Sequence, residues 1–419
     1  MESKEQEIQP RNGDVGIPSS AMRLLDTKHL FPNPRRAEWD TMYYALALKG
    51  RGSPIQTAGT PLEYSIEHRI AGYSIGDVVL FDSRGFVDFH FNACVPLDSP
   101  LNGHPDDIPE GFSPLSPPLD PANIHEEAPF KGHTVMDGRS VREFQISGHA
   151  PGTTFNAVAE EIAILTIPEG VISRDVVDVS CFRKYIAANA VGWYKCVNEV
   201  GGRHATNGDL RLVVGWDHCS SWSRVTNSSV TVHVPDDNMA SAGSSACFGA
   251  MFPADGMGTL KGVGDDSSQE GVAYNNQSVF LRTLNISVCD SIWSKLAEDF
   301  RPHIDPYMRP LPEGTTFKWK SYSIEVHPAN EINALLLKQR PQAKFAVTQD
   351  NDWISVLKPD DPCLPRAKEF MSRILVVYNI CEEDDVVFLE YKPEVPVPVN
   401  RVISIVEPHI GSLPYLPQA

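Results

Sequence analysis

The chain has 419 residues, 42% hydrophobic and 21% charged, an ordinary balance for a chain that buries a sizeable core. A formal net charge of −18 and an isoelectric point near 5.1 argue against a nucleic-acid partner, whose phosphates demand a basic face. Any anionic substrate must then be held by a few local cations or by a metal ion, against the overall field.

The first residues, MESKEQEIQPRNGD, lack the apolar core of a signal peptide, and no apolar run approaches the roughly 20 residues of a membrane span. A cytoplasmic protein with no transmembrane segment is expected. The eight cysteines, at 94, 181, 196, 219, 247, 289, 363 and 381, show no CxxC pair or zinc spacing and read as reduced thiols. The sequons at Asn227, Asn276 and Asn285 are then chance matches.

Residues 1–60 read as a polar, proline-bearing arm followed by a helix over Arg36–Leu48, with Trp39, Met42, Tyr43 and Leu46 on one face. From Leu62 the pattern becomes strand-like. Gly76–Phe81 and Phe86–Phe91 flank Asp82-Ser83-Arg84-Gly85, a hairpin signal. Residues 96–140, dense in proline, glycine and aspartate, read as one long loop, a lid or a surface excursion. Val141–Ile146 and Glu161–Ile167 read as strands. Ser173 is placed as the N-cap of a helix running through Asn198, stopped by Gly201-Gly202.

Asp209–Trp216 reads as a strand, and residues 234–275 as irregular. Gln277–Val288 is an alternating strand feeding a short helix. Thr316–Val326 is a further strand, Pro328–Arg340 a helix, and Lys344–Thr348 a short strand. A helix over Pro365–Leu375 and a strand over Asp385–Tyr391 precede a proline-rich tail at 396–419. Strands and helices alternate irregularly. The expected class is α+β, a β-rich mixed fold with peripheral helices, with 61–395 as the main domain.

The stretch from Ala254 to Asp299 concentrates the candidate chemistry. Lys261 stands in a glycine-rich loop before Asp265, Asp266 and Glu270, and Arg282 follows on the strand. Lys261 and Arg282, with Arg203 third, are the candidate anion-holding groups. Asp350, Asn351 and Asp352 follow a strand and offer hard oxygen donors suited to Mg²⁺; turns favour the same residues without any metal. Asp290, Ser294 and Glu298 recur every fourth residue on one helix face, like the second metal motif of ordinary terpene synthases, a spacing that solvated helix faces also supply. Trp193, Tyr194, Trp216, Trp222 and Trp353 either line an apolar pocket that steadies a carbocation or pack in ordinary cores. Hydrolase and nucleotide signatures are missing: Gly243-Ser244-Ser245-Ala246-Cys247 lacks the second glycine of a nucleophile elbow, and there is no HExxH, GxGxxG or P-loop.

Asn276-Gln277-x-Val279-Phe280-x-Arg282, Asn207-Gly208-Asp209-Leu210 and Ala346-Val347-Thr348-x-Asp350-x-Asp352-Trp353 are similar to a broad group of uncharacterised fungal proteins, along much of residues 65–360. Met257-Gly258-Thr259-Leu260-Lys261 resembles a segment of the atypical humulene synthases of fungal tropolone-sesquiterpenoid pathways. That resemblance implies a Mg²⁺-dependent cyclase acting on farnesyl diphosphate. Lys261 would be its diphosphate-binding lysine, and Met257 the cavity residue governing a 2E or 2Z double bond. The expected partner is a small isoprenoid diphosphate, with a homo-oligomer allowed. A non-catalytic binding or defence-associated module is the rival from another class, and a cytosolic hydrolase the third.

Overall fold

In the computed structural model the described residues are 46–47, 49–56, 58–61, 64–81, 86–102, 108–130, 134–137, 141–146, 152–157, 162–167, 169–199, 205–227, 231–235, 258–263, 274–300, 327–358, 361, 365 and 367–393. In chain order they form β1 (Ser53–Pro54), α1 (Ile66–Ala71), β2 (Asp77–Phe81), β3 (Val87–Asn92), β4 (Ile124–Phe130), β5 (Thr134–Asp137), β6 (Val141–Ile146), β7 (Gly152–Ala157), β8 (Ile162–Ile167) and β9 (Val171–Val176). Then come α2 (Ser180–Glu199), β10 (Leu210–Cys219), β11 (Ser221–Asn227), β12 (Thr231–Pro235), β13 (Gly258–Val263), β14 (Gln277–Val288) and α3 (Asp290–Phe300). The last elements are α4 (Pro328–Gln339), β15 (Phe345–Gln349), α5 (Asp350–Ile354), α6 (Ala367–Val377), β16 (Tyr378–Glu383) and β17 (Val386–Tyr391).

The fold is α+β, as the irregular alternation of periods implies, and it is not all-helical. A ten-stranded sheet runs β16-β17-β15-β14-β10-β2-β3, with β1, β4 and β9 joined off this path; β15 and β17 form its parallel pair. A second sheet runs β13-β11-β8-β5 and a third β12-β7-β6.

The centre of the large sheet, β10-β14-β15, is covered on both faces. On one, α2 sets Phe182, Ile186, Trp193 and Tyr194 against Leu212, Leu284, Ile286 and Val347. On the other, α4 and α6 bring Ile332, Leu336, Phe370 and Ile374 against Ala346, Val387 and Leu389. Each large apolar side chain buried this way stabilises the fold by about 1.5–3 kcal/mol. The helix α4 starts cleanly because Pro328 occupies its first turn and His327 Nδ1 accepts from the Ala329 N–H.

Several expectations are corrected. The long loop 96–140 contains β4 and β5, and β4 pairs with β9 through a ladder rich in charge, which masks its periodicity. Ser173 does not cap a helix: it lies in β9, and α2 starts at Ser180, whose N–H and hydroxyl both bond the Asp178 carboxylate. The irregular region 234–275 contains β13, so Lys261 sits in a strand rather than a free loop. Asp350-Asn351-Asp352 opens the short helix α5. Strands β7 and β16 and the helix α1 carried no clear signal. The Arg36–Leu48 helix, except Leu46 and Ala47, and the Thr316–Val326 strand lie outside the described residues.

Candidate functional site

Arg282 is buried in β14 and fully engaged. Its Nε pairs with Asp175, its Nη1 donates to Asp217 at 2.7 Å and to the Arg51 carbonyl at 2.9 Å, and its Nη2 reaches the Trp216 carbonyl at 2.6 Å. Arg51 clamps the other side of Asp217, with Nε and Nη2 each at 2.8 Å. Burial pushes the Asp217 carboxyl up, but Arg282 and Arg51 together hold it below the usual carboxylate range. Asp175, half-exposed, ends up raised by burial and by the charge of Asp217, despite Arg282. A bulge in β10 sets Gly215 opposite Arg282, and a Cβ there would run into the Asp175 carboxylate and the Arg282 Nε. This network ties β9, β10 and β14 to the segment just before β1. It corrects the diphosphate role expected of Arg282, because every N–H is spent within the chain.

The metal candidates separate as well. Asp350 is buried, and its two oxygens take four donors: the Thr283 N–H and hydroxyl, both at 2.8 Å, Asn285 Nδ2 at 3.1 Å and Trp353 Nε1 at 3.4 Å. Asp352 accepts from the Gln349 N–H at 2.7 Å in a capping box, and Asn351 is exposed. Asp350 and Asp352 thus serve strand-to-helix geometry. Asp290, Ser294 and Glu298 do share a face of α3, and that face is exposed to solvent. Among the described residues, no group of three or more His, Cys, Asp or Glu is placed to hold a metal ion.

The tryptophans do not line a common pocket. Trp193, Trp353, Trp222 and Trp216 fall in four different hydrophobic clusters. Trp216 stacks on His218 at 3.6 Å, and burial holds that imidazole down near 3, so it is neutral. Lys261 is paired with Ser223 and is out of phase with the neighbouring Gly262–Trp222 rung. Along the β10–β11 path its rung stands eight residues from the rung that pairs Gly215 with Arg282. Met257, Arg203, Asp265, Asp266 and Glu270 lie outside the described residues.

What the motif search missed is a polar layer inside the large sheet. All twelve residues of β14 are buried, yet every second one from Thr283 is polar: Thr283, Asn285 and Ser287, between Leu284, Ile286 and Val288. Arg211 of β10 lies directly opposite Asn285, and Thr348 of β15 is directly opposite it on the other side. From above, Asn333 of α4 donates to the Asn285 carbonyl at 3.0 Å and the Ser287 hydroxyl at 3.1 Å. Arg211 is 2% exposed, with its guanidinium 4.3 Å from the Phe81 ring.

The layer is only half satisfied. Arg211 Nε and Nη1, Asn285 Oδ1, Asn333 Oδ1 and Thr348 Oγ1 are all buried without a hydrogen-bond partner. The amide orientations are fixed, because Asn285 Nδ2 donates to Asp350 and the Thr348 carbonyl while Asn333 Nδ2 is spent as above. Nearby His327 is held well below the usual imidazole range, first by burial and then by the positive charge of Arg211. The five atoms come from the neighbouring elements β10, β14, β15 and α4. The available signal was a polar alternation in a strand with apolar neighbours on both sides.

No protein-family model matches the chain, and no curated protein does. Among the described residues, no helix is long and apolar enough to cross a membrane.

Proposed function

We propose that the chain is a Mg²⁺-dependent sesquiterpene cyclase that converts farnesyl diphosphate to humulene. One observation carries the reading furthest. The three blocks similar to the fungal group sit in or lead into adjacent strands: Asn207–Leu210 enters β10, Gln277–Arg282 begins β14, and Ala346–Asp352 forms β15 and opens α5. Arg211, which directly follows the first block, and Thr348 of the third stand on either side of Asn285 on β14.

In this reading Lys261 supplies positive charge to the diphosphate as it leaves, and Met257 shapes the cavity that sets the double-bond geometry; both roles come from the resemblance. Magnesium supplies Lewis-acid neutralisation of the leaving group. The farnesyl cation closes C1 onto C11, and loss of a proton gives the hydrocarbon. Water must be excluded throughout, because it would quench the cation.

The test is the pair Lys261→Ala and Met257→Leu, with the fold checked by circular dichroism. Lys261→Ala is expected to abolish turnover with the fold intact, and Met257→Leu to change the isomer ratio. A Lys261→Ala protein that turns over like wild type would remove the lysine from the chemistry. A wild-type chain that neither binds nor consumes the diphosphate would favour the binding-module alternative.

A further inference from the structure

Helix α4 is held at its N-terminus by an imidazole. His327 Nδ1 accepts the Ala329 N–H at 3.3 Å, so the neutral ring carries its proton on Nε2. Serine, threonine, aspartate and asparagine are the usual N-caps, and none of them titrates near neutrality. The His327 ring stands perpendicular to that of the buried Trp353, with centroids 5.4 Å apart.

Three effects of protonation act on this cap with one sign. A proton on Nδ1 removes the lone pair that accepts the Ala329 N–H. It places positive charge at the positive end of the helix dipole. It also sets that charge against the Arg211 guanidinium of β10. His327 keeps part of its surface at the solvent, yet the protein around it is dense. Burial first, then Arg211, hold it well below the usual imidazole range. The other charged groups on the elements around α4 are engaged elsewhere. Asp350 takes Thr283, Asn285 and Trp353, and Asp352 takes the Gln349 N–H. Arg282 pairs with Asp175 and Asp217, Arg373 with Asp361 and Glu369, and Glu390 accepts from Cys381. Glu331 and Lys338 lie on α4 itself, and β15 carries no charged residue.

We propose that His327 is a pH latch: its neutral imidazole holds the N-terminus of α4 on the large sheet, and its protonation releases the helix and bares the polar layer beneath. What the helix covers favours release. Asn330 Oδ1 and Asn333 Oδ1 on α4, with Asn285 Oδ1, Thr348 Oγ1 and two Arg211 nitrogens below, make no bond within the chain and gain water when α4 lifts. The apolar contacts of Ile332 and Leu336 oppose it. In the released state the imidazole titrates near its ordinary value of about 6.5. Closure is therefore fully favoured above that pH and weakens as pH falls through it. Asp352, whose carboxyl is raised, acts with the opposite sign over the same range.

The test is hydrogen exchange on the full chain between pH 5.5 and pH 7.5, corrected for the intrinsic exchange rate, in wild type and His327→Asn. It is read on peptides covering α4 and, as reference, α2 on the opposite face of the sheet. Asparagine caps without titrating, and both proteins carry Asp352, so its effect drops out of their ratio. Wild-type α4 protection, divided by that of the variant, should fall about tenfold from pH 7 to pH 5.5. In wild type at pH 5.5, α4 should also be at least about tenfold less protected than α2. His327→Asp, whose charge suits a helix N-terminus, gives the same non-titrating reference if the asparagine variant does not fold. A ratio that stays flat over this range would overturn the latch. Equal protection in α4 and α2 would do so too, because the helix would then leave only with the whole fold.

Discussion

Arg211 on β10 and Asn285 on β14 face each other directly across an antiparallel ladder, and neither satisfies the other: two guanidinium nitrogens and one amide oxygen stay unpaired in the interior. A fold that needed only stability would fill these positions with apolar residues, because burying an ion seldom repays its desolvation. Without ligand, Arg211→Met is therefore expected to raise stability by about 1–3 kcal/mol, read by urea unfolding in EDTA. A loss of stability in that variant would mean that Arg211 has a partner within the fold.

Arg282 gives the opposite outcome. It sits between Asp217, which is fully buried, and Asp175. Arg282→Met strands the Asp217 charge against Arg51 alone and should cost about 3–5 kcal/mol. The double variant Arg282→Met, Asp217→Leu should cost less than the single one, because it removes the charge that was left unbalanced. Gly215→Ala adds and removes no charge but should also destabilise, since its Cβ would collide with the Asp175 carboxylate and the Arg282 Nε and push that pair apart. Unfolding midpoints of the four proteins decide the matter.

Asp352 introduces a pH dependence. Burial raises its carboxyl to about 7, Asp350 adds to the rise, and the Gln349 N–H opposes it. A carboxyl raised in the folded state favours folding when protonated. Its contribution is thus complete below the ordinary carboxylate range and fades as pH climbs from about 4 through about 7. Asp352→Asn keeps an acceptor for the Gln349 N–H and should flatten that part of the profile. An unchanged slope in urea midpoint between pH 4 and pH 7 would contradict this.

How much of this was legible in the sequence depended on which face a residue meets. Strands with one period and a turn, such as β2 and β3, were readable within a residue or two. Strand β4 was not, because Glu126 and Glu127 are held by Arg174 and Arg51 on the neighbouring strand and segment, partners that local pattern cannot supply. Asp350 looked like a metal ligand because strand-end acids resemble one another until their donors are known. Its donors, Thr283 and Asn285, come from 65–67 residues away. The polar layer was hidden for the same reason. Thr283, Asn285 and Ser287 read as the wet side of a half-buried strand until α4 is seen above them.

The exposed face of α3 gives a simple check on the metal motif. Asp290, Ser294 and Glu298 point to solvent. Asp290→Asn combined with Glu298→Gln is expected to leave the Mg²⁺ concentration for half-maximal turnover within about twofold of wild type, as for surface charges in high dielectric. A loss of Mg²⁺ dependence in that variant would return the site to α3.

The cyclase claim itself is tested most directly by incubating the purified chain with farnesyl diphosphate, with Mg²⁺ or with EDTA, and reading the products by gas chromatography–mass spectrometry. A humulene peak that appears with Mg²⁺ and vanishes with EDTA is the expected result. An unchanged substrate under both conditions, with no thermal shift from diphosphate plus Mg²⁺, would contradict it.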